Sequence, residues 1–168
     1  GGIVIPPAGW LARCAEICRQ HNVLLIADEV QTGLGRTGRL LACEHEGVRP
    51  DGVILGKALG GGLLPVSAFL ANDALMQVFR PGDHGSTFGG NPLAAAVGTE
   101  VLALLAETRP WELAERLGER LMARLRAAAL RGVREVRGRG LLVGVALDPA
   151  LADAADIAER LLARGIAT

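Results

Sequence analysis

The stretch Val23-Leu24-Leu25-Ile26-Ala27-Asp28-Glu29-Val30-Gln31, followed by Thr32-Gly33-Leu34-Gly35-Arg36-Thr37-Gly38-Arg39, decides the fold class. Five consecutive apolar residues that end at two carboxylates have the length and continuity of a strand buried on both faces; a strand with one wet face would alternate. Asp28 therefore falls at the strand's carboxyl end. The pattern returns at Gly52-Val53-Ile54-Leu55-Gly56, which stops directly at Lys57 and leads to Gly60-Gly61-Gly62, and again at Pro65-Val66-Ser67-Ala68-Phe69-Leu70. Upstream, Gly1-Gly2-Ile3-Val4-Ile5 is stopped by Pro6-Pro7, and Trp10, Leu11, Cys14, Ile17 and Cys18 repeat at helical spacing to about His21, which reads as strand, turn, helix. Apolar strands joined by helical or glycine-rich links predict an α/β fold with a mostly parallel sheet and helices on both faces. Such sheets hold ligands beyond the carboxyl ends of their strands, which is where Asp28 and Lys57 both lie.

From Asn91 the character changes. Asn91 to Ala106 and Trp111 to Leu130 are rich in Ala, Leu, Arg and Glu at helical periodicity. Strand pattern comes back at Gly138 to Leu147, and Pro149 opens a last helix from about Ala150 to Arg164. A boundary is expected near Thr108-Arg109-Pro110, dividing a segment 1–107 from a segment 108–168. The Arg-rich stretch Arg131 to Arg139 reads as a solvated turn and edge strand.

Composition narrows the function classes. The 168 residues carry 18 Lys plus Arg against 18 Asp plus Glu, so no net charge favours a nucleic acid. Half the residues are hydrophobic, which suits a globular core rather than a disordered chain. No apolar run approaches the ~18–20 residues that span a bilayer, and no leader pattern stands at Gly1, so a cytoplasmic protein is expected. Cys14, Cys18 and Cys43 form no Cys-x-x-Cys pair, and His21, His45 and His84 are dispersed. The thiols read as core packing, and no metal is expected.

Of the 18 basic residues, 17 are Arg and one, Lys57, is Lys. Arg serves surface charge, ion pairs and phosphate contacts, but it cannot form an imine. A single primary amine in an Arg background is therefore a candidate covalent residue. A lysine and a carboxylate at neighbouring strand ends match what pyridoxal phosphate requires: an imine-forming amine, and an anion that keeps the pyridine nitrogen protonated. A surface lysine beside a turn and an aspartate capping a loop stand as the alternatives at this point.

The residues in order carry more than the spacing does. Leu25-Ile26-Ala27-Asp28-Glu29-Val30-Gln31-Thr32-Gly33-Leu34-Gly35-Arg36-Thr37-Gly38, then Leu55-Gly56-Lys57-Ala58-Leu59-Gly60-Gly61-Gly62, then His84-Gly85-Ser86-Thr87-Phe88-Gly89-Gly90-Asn91-Pro92-Leu93 resemble the class III pyridoxal-phosphate aminotransferases. The resemblance implies the large cofactor-binding domain of fold type I over 1–107 and the start of a small C-terminal α+β domain over 108–168. It implies Lys57 as the residue that binds the cofactor as an internal aldimine and shuttles the proton, and Asp28 as partner of the pyridinium. Val30 would pack on the ring face and Gln31 would reach the phenolic oxygen. Ser86 and Thr87 would hold the phosphate of the other subunit's cofactor across a homodimer interface.

Small-molecule amino acids and 2-oxo acids are the implied substrates. Leu64-Pro65-Val66-Ser67-Ala68 and Pro81-Gly82-Asp83-His84-Gly85-Ser86-Thr87 are most similar to the branch that moves the δ-amino group of ornithine to 2-oxoglutarate, giving glutamate semialdehyde and glutamate. The branches acting on acetylornithine, or on 4-aminobutyrate and other ω-amino acids, are the alternatives. Set against that family, the chain looks like an internal segment that lacks the upstream phosphate loop and the downstream carboxylate-gripping arginine. By itself it is expected to be weakly active or inactive, and a non-catalytic remnant is the other reading.

Overall fold

The computed structural model describes residues 3–168. Gly1 and Gly2, part of the first expected strand, lie outside the described residues, and the rest of that run, residues 3–7, forms no regular element. Pro6 and Pro7 have no N–H to give a ladder, and no described strand pairs with this stretch.

Helix α1 (Trp10–Gln20) begins after Gly9, whose φ of 80° is left-handed. No side chain of its own caps it. Instead the Glu46 carboxylate accepts the N–H groups of Gly9 at 3.0 Å and Ala12 at 2.9 Å, satisfying two of the orphan donors of the first turn. The helix ends in a Schellman arrangement, with Asn22 left-handed and the Val23 N–H donating to the Cys18 carbonyl at 2.8 Å.

Strands β1 (Ile26–Asp28) and β2 (Gly52–Leu55) pair in parallel, with Asp28 opposite Ile54. Val23 and Leu24, included in the expected strand, precede β1 and are exposed. The Asp51 carboxylate accepts the Leu25 N–H at 2.8 Å and so secures the register at its start. Strand β3 (Ala68–Ala71) pairs with β2 in antiparallel fashion, giving the order β1-β2-β3. The sheet is therefore mixed, one parallel pairing and one antiparallel, where a mostly parallel sheet was expected. The reason lies in the link between β2 and β3: a parallel return needs a crossover, usually an α-helix, and residues 56–67 hold none. Here a 3₁₀ turn, Lys57–Gly60, and the left-handed Gly61 and Gly62 reverse the chain instead.

A short helix α2 (Asp73–Met76) follows, capped by the Asn72 side chain. Helix α3 (Pro92–Thr108) opens with the Asn91 side chain accepting the Ala94 N–H at 2.8 Å and with Pro92 in its first turn. Its Gly98 lies against Leu59, where a Cβ would sit 3.8 Å from the leucine side chain. Leu34, Leu55 and Leu59 form the core here, with Leu40, Leu41, Val53, Val66, Ala68 and Leu105 packed around them.

The expected break at Thr108-Arg109-Pro110 is a left-handed Arg109, φ 45°, between α3 and α4 (Pro110–Ala127). Pro110 cannot continue the helix before it but suits the first turn of the next. Arg109 pairs with Glu112 at 2.8 Å and lies over the Trp111 ring. Strands β4 (Val133–Arg139) and β5 (Leu142–Leu147) then form a separate antiparallel hairpin packed on α4, and α5 (Ala154–Leu162) closes the chain.

Glycines join the hairpin to the first sheet. A Cβ at Gly118 of α4 would lie 1.8 Å from the Gly140 carbonyl oxygen, and one at Gly140 would lie 2.4 Å from the Thr37 carbonyl carbon. The Leu141 N–H donates to the Arg36 carbonyl at 2.9 Å. The loop after β1, the hairpin turn and α4 thus meet backbone to backbone, which no larger residue would allow.

Candidate active site

Parallel pairing places the ends of β1 and β2 abreast. The Glu29 N–H donates to the Ile54 carbonyl at 2.9 Å, so the chain leaves the sheet at Asp28 on one strand and at Gly56-Lys57 on the next. Lys57 is exposed and has a φ of 48°. A left-handed non-glycine residue costs roughly 1–2 kcal/mol, and such residues concentrate where the backbone must aim a side chain. Gly56 before it is fully extended, and a Cβ there would lie 3.5 Å from both Val30 methyl groups, so Val30 covers the backbone leading into Lys57.

Lys57, Val30 and Gln31 line one cleft of about 680 Å³. One wall is the loop Gly33-Leu34-Gly35-Arg36. The rest of the lining includes Leu113 and Leu117 of α4 and Leu141, Leu142 and Val143 of the hairpin. The cleft is mostly apolar with a few polar groups, the make-up of a small-molecule site, and its volume lies within the range such sites span.

The remaining predicted residues lie elsewhere. Asp28 accepts the Val30 N–H through its own carboxylate at 3.0 Å and lines a second cavity, of about 580 Å³, together with residues of α1 and with Cys43 and His45. Five consecutive residues, Leu25 to Glu29, line that cavity; alternation would forbid this on a sheet face, so the cavity runs along the unpaired edge of β1. Ser86 and Thr87 are exposed and line neither cavity. Ser86 Oγ accepts the Gly89 N–H at 2.9 Å, and Phe88 beside them is 82% exposed.

Three groups outside the predicted set complete the surroundings. Glu29 is 4% exposed; its carboxylate accepts the Cys43 N–H at 2.9 Å and the Thr32 hydroxyl. Burial, reinforced by the negative Glu29, pushes the Cys43 thiol up to about 11. His45 Nε2 lies 3.0 Å from the Thr37 carbonyl oxygen, and burial followed by the nearby Arg139 holds its pKa below the ordinary value. The only signal for Glu29 in the sequence is a second carboxylate after a fully apolar strand; the cleft's far wall has none, since it depends on packing between distant segments. Among the described residues no cluster of three or more His, Cys, Asp or Glu could hold a metal, and no helix is long and apolar enough to cross a membrane.

The lone lysine thus lines an apolar cleft at the end of a parallel strand pair. The class-III aminotransferase profile covers residues 1–168, and the chain belongs to that family. Its fold is α/β, part of the fold-type I aminotransferase large domain. The chain is 52% identical over 166 residues to ornithine aminotransferase 1 of Staphylococcus aureus, an alignment that takes in 99% of this chain and 41% of that protein. The crystal structure of the ornithine aminotransferase from Toxoplasma gondii superposes with a TM-score of 0.94 at 47% identity, covering 99% of this chain and 40% of that one. An acetylornithine aminotransferase from Elizabethkingia anophelis is also similar, with a TM-score of 0.87 at 45% identity, covering 97% of this chain and 42% of that one. The chain spans about two-fifths of the length of the curated relatives it matches.

Proposed function

We propose that the protein is a pyridoxal-phosphate-dependent transaminase that moves the δ-amino group of ornithine to 2-oxoglutarate, giving glutamate semialdehyde and glutamate. The observation that carries the reading is Lys57: the sole lysine, left-handed, exposed, and opening on the same cleft as Val30 and Gln31. Half-identity to ornithine aminotransferase 1 along 99% of the chain supports the donor.

The residues present suit the cofactor. The cleft offers a primary amine, an apolar methyl surface at Val30 and an amide at Gln31, while a carboxylate stands at the adjacent strand end. When bound, pyridoxal phosphate supplies an electron sink for charge developing at the amine-bearing carbon. Lys57 Nζ would hold the cofactor through its primary amine, and the same amine is the base that would move the proton at that carbon. Asp28, which stands at the adjacent strand end and lines the second cavity rather than the Lys57 cleft, would keep a proton on the pyridine nitrogen by Coulomb attraction. Val30 would pack on the ring face, and Gln31 would donate its amide to the phenolic oxygen. Leu113, Leu117 and Leu141 add apolar lining to the cleft.

Ser86 and Thr87 are proposed to hold the phosphate bound to a second copy in a homodimer; their exposure, and that of Phe88, supports this. Residues 1–107 are proposed as part of a large cofactor-binding domain and 108–168 as part of a small domain, a division supported by their separate sheets. A cytoplasmic location is proposed with the enzyme. The similarity to an acetylornithine aminotransferase favours acetylornithine as the second reading of the donor.

The test is a comparison of ornithine, acetylornithine and 4-aminobutyrate as donors with 2-oxoglutarate, using a full-length protein that contains these residues and its Lys57→Arg variant. Ornithine is expected to be preferred, and the variant to lose turnover by at least about a thousandfold, because its guanidinium keeps the charge but can neither bond the cofactor nor release a proton. A near-native rate in the variant would overturn the role of Lys57. Preference for another donor would overturn the ornithine assignment alone.

A further inference from the structure

Glu29 stands between the residues proposed to meet the cofactor, with Asp28 on one side and Val30-Gln31 on the other. Its side chain does not line the Lys57 cleft; it is buried toward the 3₁₀ turn at Ala42–Glu46. One carboxylate oxygen accepts the Cys43 N–H at 2.9 Å and the other accepts the Thr32 hydroxyl. The backbone is equally engaged. Its N–H donates to Ile54 of β2 and its carbonyl accepts the Gly33 N–H, each at 2.9 Å. Four hydrogen bonds therefore tie this one residue to β2, to the 3₁₀ turn, and to Thr32 and Gly33 of the turn that presents Gln31.

That turn has no slack. A Cβ at Gly33 would lie 2.8 Å from the Glu29 carbonyl oxygen and 3.0 Å from the Glu29 Cβ, so the loop folds directly back over Glu29. Among the described residues no basic side chain pairs with the Glu29 carboxylate. A buried carboxylate served by neutral donors alone is a poor way to gain stability, since desolvation opposes it. Its directional bonds are a good way to hold a loop in one geometry.

We infer that Glu29 is a positioning residue of the cofactor site: its carboxylate clamps Thr32 and Cys43, and the clamp sets the directions in which Asp28, Val30 and Gln31 meet the cofactor. The inference rests on the pyridoxal-phosphate reading above. It concerns geometry rather than charge. Gln at this position can still accept the Cys43 N–H and can donate to the Thr32 hydroxyl, whereas Ala can do neither.

The experiment follows the melting temperature of the protein with and without added pyridoxal phosphate, and the dissociation constant from the dependence of that shift on cofactor concentration. It uses the native protein and the variants Glu29→Gln, Glu29→Ala and Thr32→Val. Native protein and Glu29→Gln are expected to bind alike. Glu29→Ala is expected to bind about tenfold more weakly, and Thr32→Val, which removes one donor, several-fold more weakly. A merely structural role would lower the melting temperature with and without cofactor equally and leave the dissociation constant unchanged; that result in Glu29→Ala and Thr32→Val would overturn the inference. Should Glu29→Ala fail to fold, native affinity in Thr32→Val overturns it on its own. Weak binding by Glu29→Gln, matching Glu29→Ala, would overturn the geometric clamp in favour of charge. No cofactor-dependent shift in the native protein would overturn the cofactor reading itself, a result distinct from all of these.

Discussion

Cys43 shows how a single buried group reports on its neighbourhood. Desolvation comes first and the Glu29 carboxylate second in raising its thiol from an ordinary 9.0 to about 11. Between those values the unfolded chain has lost the thiol proton while the folded chain still holds it. The contribution is therefore complete below pH 9 and is lost as pH rises toward 11. With no tyrosine and one lysine in the chain, few other groups titrate in that window. The fall in melting temperature from pH 8.5 to pH 10.5 is expected to be steeper for the native protein than for Cys43→Ala; parallel curves would contradict the assignment. At this scale the sequence was legible in part. Lys57 and Asp28 could be placed because an apolar run shows where a strand stops. Glu29 could not be separated from Asp28, because which of two adjacent carboxylates turns inward depends on the 3₁₀ turn at Ala42–Glu46, which the β1 stretch does not contain.

The elements divide into those whose ends are written locally and those set by partners. Helices α3 and α4 came within a few residues of expectation because Asn91, Pro92 and Pro110 are start and stop signals acting on their own neighbours. The direction of β3 was not legible, since antiparallel return depends on the 3₁₀ turn and left-handed glycines of the link, not on the strand's own apolar pattern. The contact of α4 with the hairpin turn was equally hidden, and it gives a prediction at this scale. Gly118→Ala forces a Cβ toward the Gly140 carbonyl oxygen, where backbone faces backbone and neither side can rotate away. The loss of stability in urea is expected to be about 3 kcal/mol or more. Gly9→Ala, left-handed but facing open space, is expected to lose only about 1 kcal/mol. Equal losses would show that the joint between α4 and the hairpin is looser than described.

At the scale of the molecule, the cleft exists because two sheets meet. One wall carries Lys57, Val30 and Gln31 from the strand ends; the other is built from α4 and the hairpin, held by the Leu141 to Arg36 hydrogen bond and the glycine contacts around it. Apolar strands and ordered motifs revealed the first wall, whereas Leu113, Leu117 and Leu141 belong to segments whose meeting with it has no local signature. The proposed chemistry draws on the first wall to hold the cofactor, and the second adds apolar lining to the cleft. Incubation with pyridoxal phosphate, reduction with borohydride and peptide mass spectrometry test this most directly, because the chain has one lysine and peptide mapping separates it from the α-amine. The added mass is expected on Lys57, and is expected to disappear when the protein is unfolded before the cofactor is added. An unlabelled Lys57, or labelling that survives unfolding, would contradict the assignment of this cleft as a cofactor site.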